Sequence, residues 1–247
     1  MNPETWILLL TAALAAGALN AVAGGGSFLT FPALVFAGVP PIAANATSAV
    51  AVSPGYLGST LGFRPELAAL PRPRLWAEGA VCAAGGLAGA GLLLVTPAKL
   101  FSALVPWLLL FATALFALAP WLTGRRGGAA HPAARMAGLA CVAVYGGYFN
   151  GGLGILLMAL YAITGETSIN TANALKNLNS LVLSLLSVAA FAWAGAVAWP
   201  QALAMAAAAT VGGYAGARVA RRLPAKLLRS GVIATGLVMA ALFFARG

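Results

Sequence analysis

The sequence predicts an all-α polytopic membrane protein built from two homologous halves, and three observations carry that expectation. Hydrophobic residues fill 62% of the 247 positions and charged residues only 7%, whereas a soluble domain carries about a quarter charged. Apolar runs near the ~20 residues needed to cross the hydrocarbon core recur along the chain. Short motifs also repeat at an offset of about 127 residues, the mark of an internal duplication. So few charges cannot cover a water-facing surface, yet they suffice for the loops of a bundle in lipid.

The first half, residues 1–123, holds apolar segments at 5–23, 25–39, 42–63, 75–95 and 98–122. The opening segment ends in Ala21-Val22-Ala23 like a cleavable signal. Glu4 stands where a basic leader would be expected, so the segment is read as retained. A basic linker at 124–134, expected to be cytoplasmic, leads to the second half, residues 135–247, with segments at 135–149, 152–164, 169–195, 201–217 and 225–244. The expectation is therefore eight to ten membrane segments. The second segment of each half is short; 25–39 reaches only about 22 Å as a helix. Gly24-Gly25-Gly26 opens it, and Asn150-Gly151-Gly152 opens its counterpart. Helix-breaking backbone at membrane depth survives only when buried in protein or lining a wet cavity, so each half is expected to carry an interrupted or re-entrant helix.

The duplication is specific. Gly85-Gly86-Leu87-Ala88-Gly89-Ala90 returns as Gly212-Gly213-Tyr214-Ala215-Gly216-Ala217, Pro97-Ala98-Lys99-Leu100 as Pro224-Ala225-Lys226-Leu227, and Ala44-Asn45-Ala46 as Ala172-Asn173-Ala174. Charge then selects the kind of repeat. The net charge of +10 gathers in three clusters between apolar runs, at Arg64, Arg72 and Arg74, at Arg125, Arg126 and Arg135, and at Arg218, Arg221, Arg222, Lys226 and Arg229. Such clusters mark cytoplasmic loops; they are not the aromatic-interleaved face of a nucleic-acid groove, so no nucleic-acid partner is expected. The repeat mates of two basic loops are nearly uncharged, so equivalent loops face opposite sides. That predicts an inverted repeat with both termini periplasmic; a parallel repeat ranks second.

Ionisable groups inside membrane segments are costly and usually functional. Lys176 lies well inside the run from Ile169, and Asn173, Lys176, Asn177, Ser180 and Ser184 share one helical face. The plain alternative is a lysine that reaches back to the headgroups while the amides bond neighbouring helices. Asn45, Thr47 and Ser48 are the uncharged first-half counterpart. Together with Gly24, Gly25, Gly26 and Ser27 at one break and Asn150, Gly151 and Gly152 at the other, these residues form the expected binding site. Glycines let backbone N–H groups approach an oxyanion, as helix N-termini do, and Lys176 would balance its charge. Asn20 and Asn150 precede the breaks, placed either to satisfy freed backbone groups or to touch a ligand.

The four acids are sparse. Glu166 stands at the start of the segment bearing Lys176, where it favours the helix N-terminus. Glu78 is placed to pair with Arg72 or Arg74; accepting a coupling proton is the alternative for either acid. No Asp occurs, which argues against a carboxylate-lined divalent-cation path. Cys82 and Cys141 are expected to be buried free thiols, and His131 a solvated loop residue. No metal or cofactor is expected. No phosphate-binding loop, His-Glu-x-x-His or Gly-x-Ser-x-Gly motif occurs, so no enzyme is expected.

The run Leu19-Asn20-Ala21-Val22-Ala23-Gly24-Gly25-Gly26-Ser27-Phe28-Leu29-Thr30-Phe31-Pro32, with Gly38-Val39-Pro40 and Ala44-Asn45-Ala46-Thr47-Ser48 after it, resembles the sulfite exporter TauE/SafE family. Gly146-Gly147-Tyr148-Phe149-Asn150-Gly151-Gly152-Leu153-Gly154 is similar to that family's second glycine motif. The resemblance implies a bacterial inner-membrane carrier of sulfur-containing anions such as sulfite, thiosulfate or organosulfonates. One departure stands out: Met158 takes the place matching Pro32, which predicts a milder second break. The expected function is secondary transport of a small anion by alternating access. A channel and a non-transporting assembly partner are the alternatives. A coupling proton or sodium ion and a homo-oligomer are left open.

Overall fold

The computed structural model describes residues 2–22, 25–124, 132–219 and 225–246. Gly24, Arg125, Arg126, His131, Arg221 and Arg222 therefore lie outside the described residues. The first half forms α1 (Pro3–Val22), α2 (Ser27–Phe36), α3 (Pro41–Gly62), α4 (Arg64–Ala68), α5 (Arg72–Val95) and α6 (Ala98–Gly124). The second forms α7 (Pro132–Tyr148), α8 (Leu153–Ile163), α9 (Ile169–Trp193), α10 (Trp199–Val219) and α11 (Ala225–Arg246). Each expected segment is a helix, and the short α4 within the basic stretch is an addition. Prolines open α3, α4 and α5, because the first helical position has no partner for an N–H anyway. Ser168 caps α9, its hydroxyl accepting the Thr171 N–H at 3.2 Å.

By length and hydropathy, α5, the first 18 residues of α6, and α9 suffice to cross a membrane. The short α2 and α8 are apolar but too brief, as expected. Pro32 lies inside α2 without interrupting it, so proline is not what breaks either segment; both breaks precede the helix. The second break contains Gly152 at φ +77°, a left-handed turn that favours glycine.

The most extensive helix contacts run across the halves. α1 lies against α10, α5 against α7, α3 against α9 and α6 against α11. The duplicated glycines make this possible. A Cβ at Gly89 would strike the Val144 carbonyl, and one at Gly212 would strike the Leu14 backbone. Small residues let membrane helices approach until backbones touch.

Two sets of contacts fix directions. The Ala198 N–H donates to Thr47 Oγ1 at 3.0 Å, which puts the start of α3 beside the end of α9. Arg74, at the start of α5, meets Glu166 just before α9 at 3.0 Å, and α4 packs on α9. So α3 and α9 run antiparallel. Likewise Arg135 at the start of α7 and Tyr161 near the end of α8 both reach Glu78, at 3.6 and 2.8 Å. Gly138 faces Leu160 between them. The α7–α8 pair is therefore a hairpin whose two outer ends sit at one level.

One expectation is corrected. Cys82 is buried, but Cys141 is exposed on α7. α7 turns only its glycine-rich face to α5, and Cys141 falls on the outward face, where an apolar thiol suits lipid.

Candidate functional site

The two breaks meet in the interior. Ser27, at the first turn of α2, donates its hydroxyl to the Asn150 carbonyl at 3.0 Å. Asn45 on α3 donates its amide to the Tyr148 carbonyl at 3.1 Å. Both acceptors are backbone groups freed where α7 ends. Without water in the bilayer core such carbonyls must find protein donors, and the opposite half supplies them. Tyr145 adds a third, donating to the Gly151 carbonyl at 2.8 Å. At the first break Asn20 accepts the Gly26 N–H on its side-chain oxygen at 3.0 Å. Phe31 and Phe149 pack edge to face with centroids 5.4 Å apart, closing the apolar side of the junction.

Beside this junction a cavity of about 410 Å³ opens between α1, α3, α9 and α10, bordered by Asn20, Tyr56, Ser59, Lys176, Asn177 and Thr210. Lys176 is only 8% exposed, and among the described residues it has no hydrogen bond or ion pair. An ammonium withdrawn from water is normally paired, so this one faces the cavity with its charge uncompensated by protein. Two lining residues tie the cavity to the breaks. Asn20 holds Gly26, and Tyr56 donates to Asn150 Oδ1 at 3.4 Å. The space holds on the order of ten waters, room for a small anion and part of its hydration shell.

The described site residues that were expected fall at the cavity, at the junction or elsewhere. Lys176 and Asn177 line the cavity; Gly25, Gly26, Ser27, Asn45, Asn150, Gly151 and Gly152 build the junction beside it. Thr47 and Ser48 lie elsewhere, the first on Ala198 and the second sharing a hydrogen bond with Thr30 at 2.6 Å. Asn173 donates to the Ile169 carbonyl of its own helix at 3.1 Å and is not among the cavity residues. Tyr56 and Ser59 were missed; Tyr56 follows Asn45 by about three helical turns and shares its face, which was the available signal.

A second buried cluster surrounds Glu78, which is 1% exposed. One oxygen accepts from Arg74 at 3.0 Å; the other accepts from Tyr161 at 2.8 Å and Asn179 at 3.0 Å. The expected pairing with Arg74 is present. Glu166 does more than favour a helix start, since it also binds Arg74 at 3.0 Å. Carboxylate, guanidinium, phenol and amide together fasten α5, α8 and α9 at one end of the bundle.

A profile described as sulfite exporter TauE/SafE matches residues 9–243. A probable membrane transporter protein of Escherichia coli K12, YfcA, is 28% identical over 98% of this chain and 90% of its own length. A probable membrane transporter protein of Sinorhizobium, ORF9, is 24% identical over 94% of the chain and 89% of its own length. Another from Haemophilus influenzae is 26% identical over 95% and 92%. No solved structure matches the chain. The chain belongs to the TauE/SafE family of multi-pass membrane transporters.

Proposed function

We propose that this TauE/SafE member is a secondary transporter that carries a small sulfur-containing oxyanion (sulfite, thiosulfate or an organosulfonate) across the bacterial inner membrane. The observation that carries the reading is Lys176, a buried cation without a partner among the described residues, facing a cavity whose wall is tied to both helix breaks. A visiting anion completes that charge. Family membership supports the class of cargo.

Alternating access follows from the architecture proposed around the cavity. The antiparallel run of α3 and α9 supports an inverted repeat. So does the exchange of partners in which α1 meets α10 as α7 meets α5. The level ends of α7 and α8 support a re-entrant hairpin, with α1–α2 as its counterpart. Inverted repeats with broken helices at a central site rock about that site. In this arrangement Arg64, Arg72, Arg74 and Arg135 share the cytoplasmic side, both termini are periplasmic, and the halves join through residues 124–134. Glu78 then serves as an anchor of the cytoplasmic end, and the cargo charge is met by Lys176.

Flux of labelled sulfite and thiosulfate into proteoliposomes tests the proposal. Saturable uptake accelerated by anion on the far side is expected. Uptake linear in concentration would make the chain a channel, and no flux of any anion would make it an assembly partner. Repeating the assay with an imposed proton or sodium gradient identifies the coupling ion.

A further inference from the structure

Outside the transport cavity, the outer face of α5 carries a trough without a partner. Leu75, Trp76, Gly79, Ala80 and Ala83 line one side of it and Leu178 on α9 the other, enclosing about 600 Å³. Gly79 leaves it open, since a Cβ there would meet nothing within 4 Å. From Leu75 to Ala83 the trough runs about 12 Å along the helix. Its upper end is Arg72, which also borders an adjoining hollow of about 260 Å³ with Arg64. Neither arginine has a hydrogen bond or ion pair among the described residues, whereas Arg74 is committed to Glu78 and Glu166. Glu66 on α4 offsets part of the pair's charge, leaving a net positive rim. Trp76, 79% exposed one turn from Arg72, is the aromatic expected at headgroup depth.

We infer that this trough and its two arginines form a binding site for an anionic phospholipid, with an acyl chain along α5 and the phosphate between Arg64 and Arg72. The observation joining them is the shared wall of Arg72 and Leu75, which makes the apolar trough and the cationic hollow continuous. Basic pockets between membrane helices suit anionic headgroups in this way. A zwitterionic lipid fills the trough equally well but brings no net charge to the rim. A free phosphate ion satisfies the rim and leaves the trough empty. Lipid binding here stands independently of the transported substrate; only the assignment to the cytoplasmic leaflet rests on the proposed topology.

Native mass spectrometry of the full chain, released from detergent with palmitoyl-oleoyl phosphatidylglycerol or phosphatidylcholine, tests this. The wild type is expected to retain phosphatidylglycerol over phosphatidylcholine roughly tenfold, the scale of two surface arginines partly offset by one acid. Arg64→Gln with Arg72→Gln should bring the two lipids to parity, and Arg64→Lys with Arg72→Lys should keep the preference. Gly79→Leu with Ala83→Leu should weaken retention of both lipids. Parity in the wild type, or a preference that survives both glutamines, would overturn the inference. So would displacement of the lipid by millimolar inorganic phosphate. A dimer abolished by filling the trough would assign the face to a second copy of the chain instead.

Discussion

Replacing Lys176 with methionine keeps the aliphatic stem and removes the charge, which separates two consequences that a paired lysine would confound. If the ammonium meets an anion directly, its loss removes a hydrogen bond to a charged group, worth about 1.5–3 kcal/mol net. At 1.36 kcal/mol per decade that is roughly a tenfold to hundredfold fall in anion affinity. Stability should move the other way. Breaking a buried ion pair costs about 3–5 kcal/mol because the surviving charge is stranded, but Lys176 has no partner among the described residues to strand. The methionine side chain would fill a similar volume without the cost of an unpaired charge, so the melting temperature in detergent should hold or rise. Sulfite titration by calorimetry gives the affinity, and differential scanning fluorimetry gives the melting point. A melting point that falls while sulfite affinity is unchanged would refute the reasoning and make Lys176 structural.

Gly89→Ala and Gly91→Ala should diverge although the residues are two apart. The first drives a methyl into the Val144 carbonyl and should cost about 1–3 kcal/mol. The second meets open space and should gain up to about 1 kcal/mol of helix propensity; thermal melting of each variant checks both. Glu78→Ala leaves Arg74 paired with Glu166 but takes the acceptor from Tyr161 and Asn179, and should destabilise by about 1–3 kcal/mol. Tyr161→Phe, which removes one of several donors, should cost about 1 kcal/mol, read from the same melts. Thr47→Val takes the acceptor from the Ala198 N–H and should cost about 1–3 kcal/mol, with Thr47→Ser restoring it.

What the sequence made legible is what depends on periodicity and punctuation. Pro40 and Pro41, Pro71 and Pro73 mark helix starts because their missing N–H costs nothing there, and the helix boundaries follow them. The repeated glycines were readable as a sequence repeat, but not as contacts, because Gly85, Gly86, Gly89, Gly212 and Gly213 each face a helix of the other half. Lys176 was readable because a cation in an apolar run has few explanations. Its neighbour Asn173, on the same face, is diverted by the Ile169 carbonyl one turn back, a local competition the stripe did not reveal. Ser27 and Asn45 carry donors of the expected kind, but their partners at Asn150 and Tyr148 lie 123 and 103 residues away. Only the fold shows that they satisfy broken backbone. The Glu78 cluster was half legible: Arg74 is one helical turn away, whereas Tyr161 and Asn179 come from 83 and 101 residues along the chain.

The cavity is tested most directly with selenite, a heavier pyramidal stand-in for sulfite, located by its anomalous scattering in crystals of the wild-type protein. The selenium peak is expected in the space bounded by Asn20, Tyr56 and Asn177, with an oxygen about 3 Å from Lys176 Nζ. A fully occupied peak elsewhere, with the cavity holding only water at saturating selenite, would contradict the account.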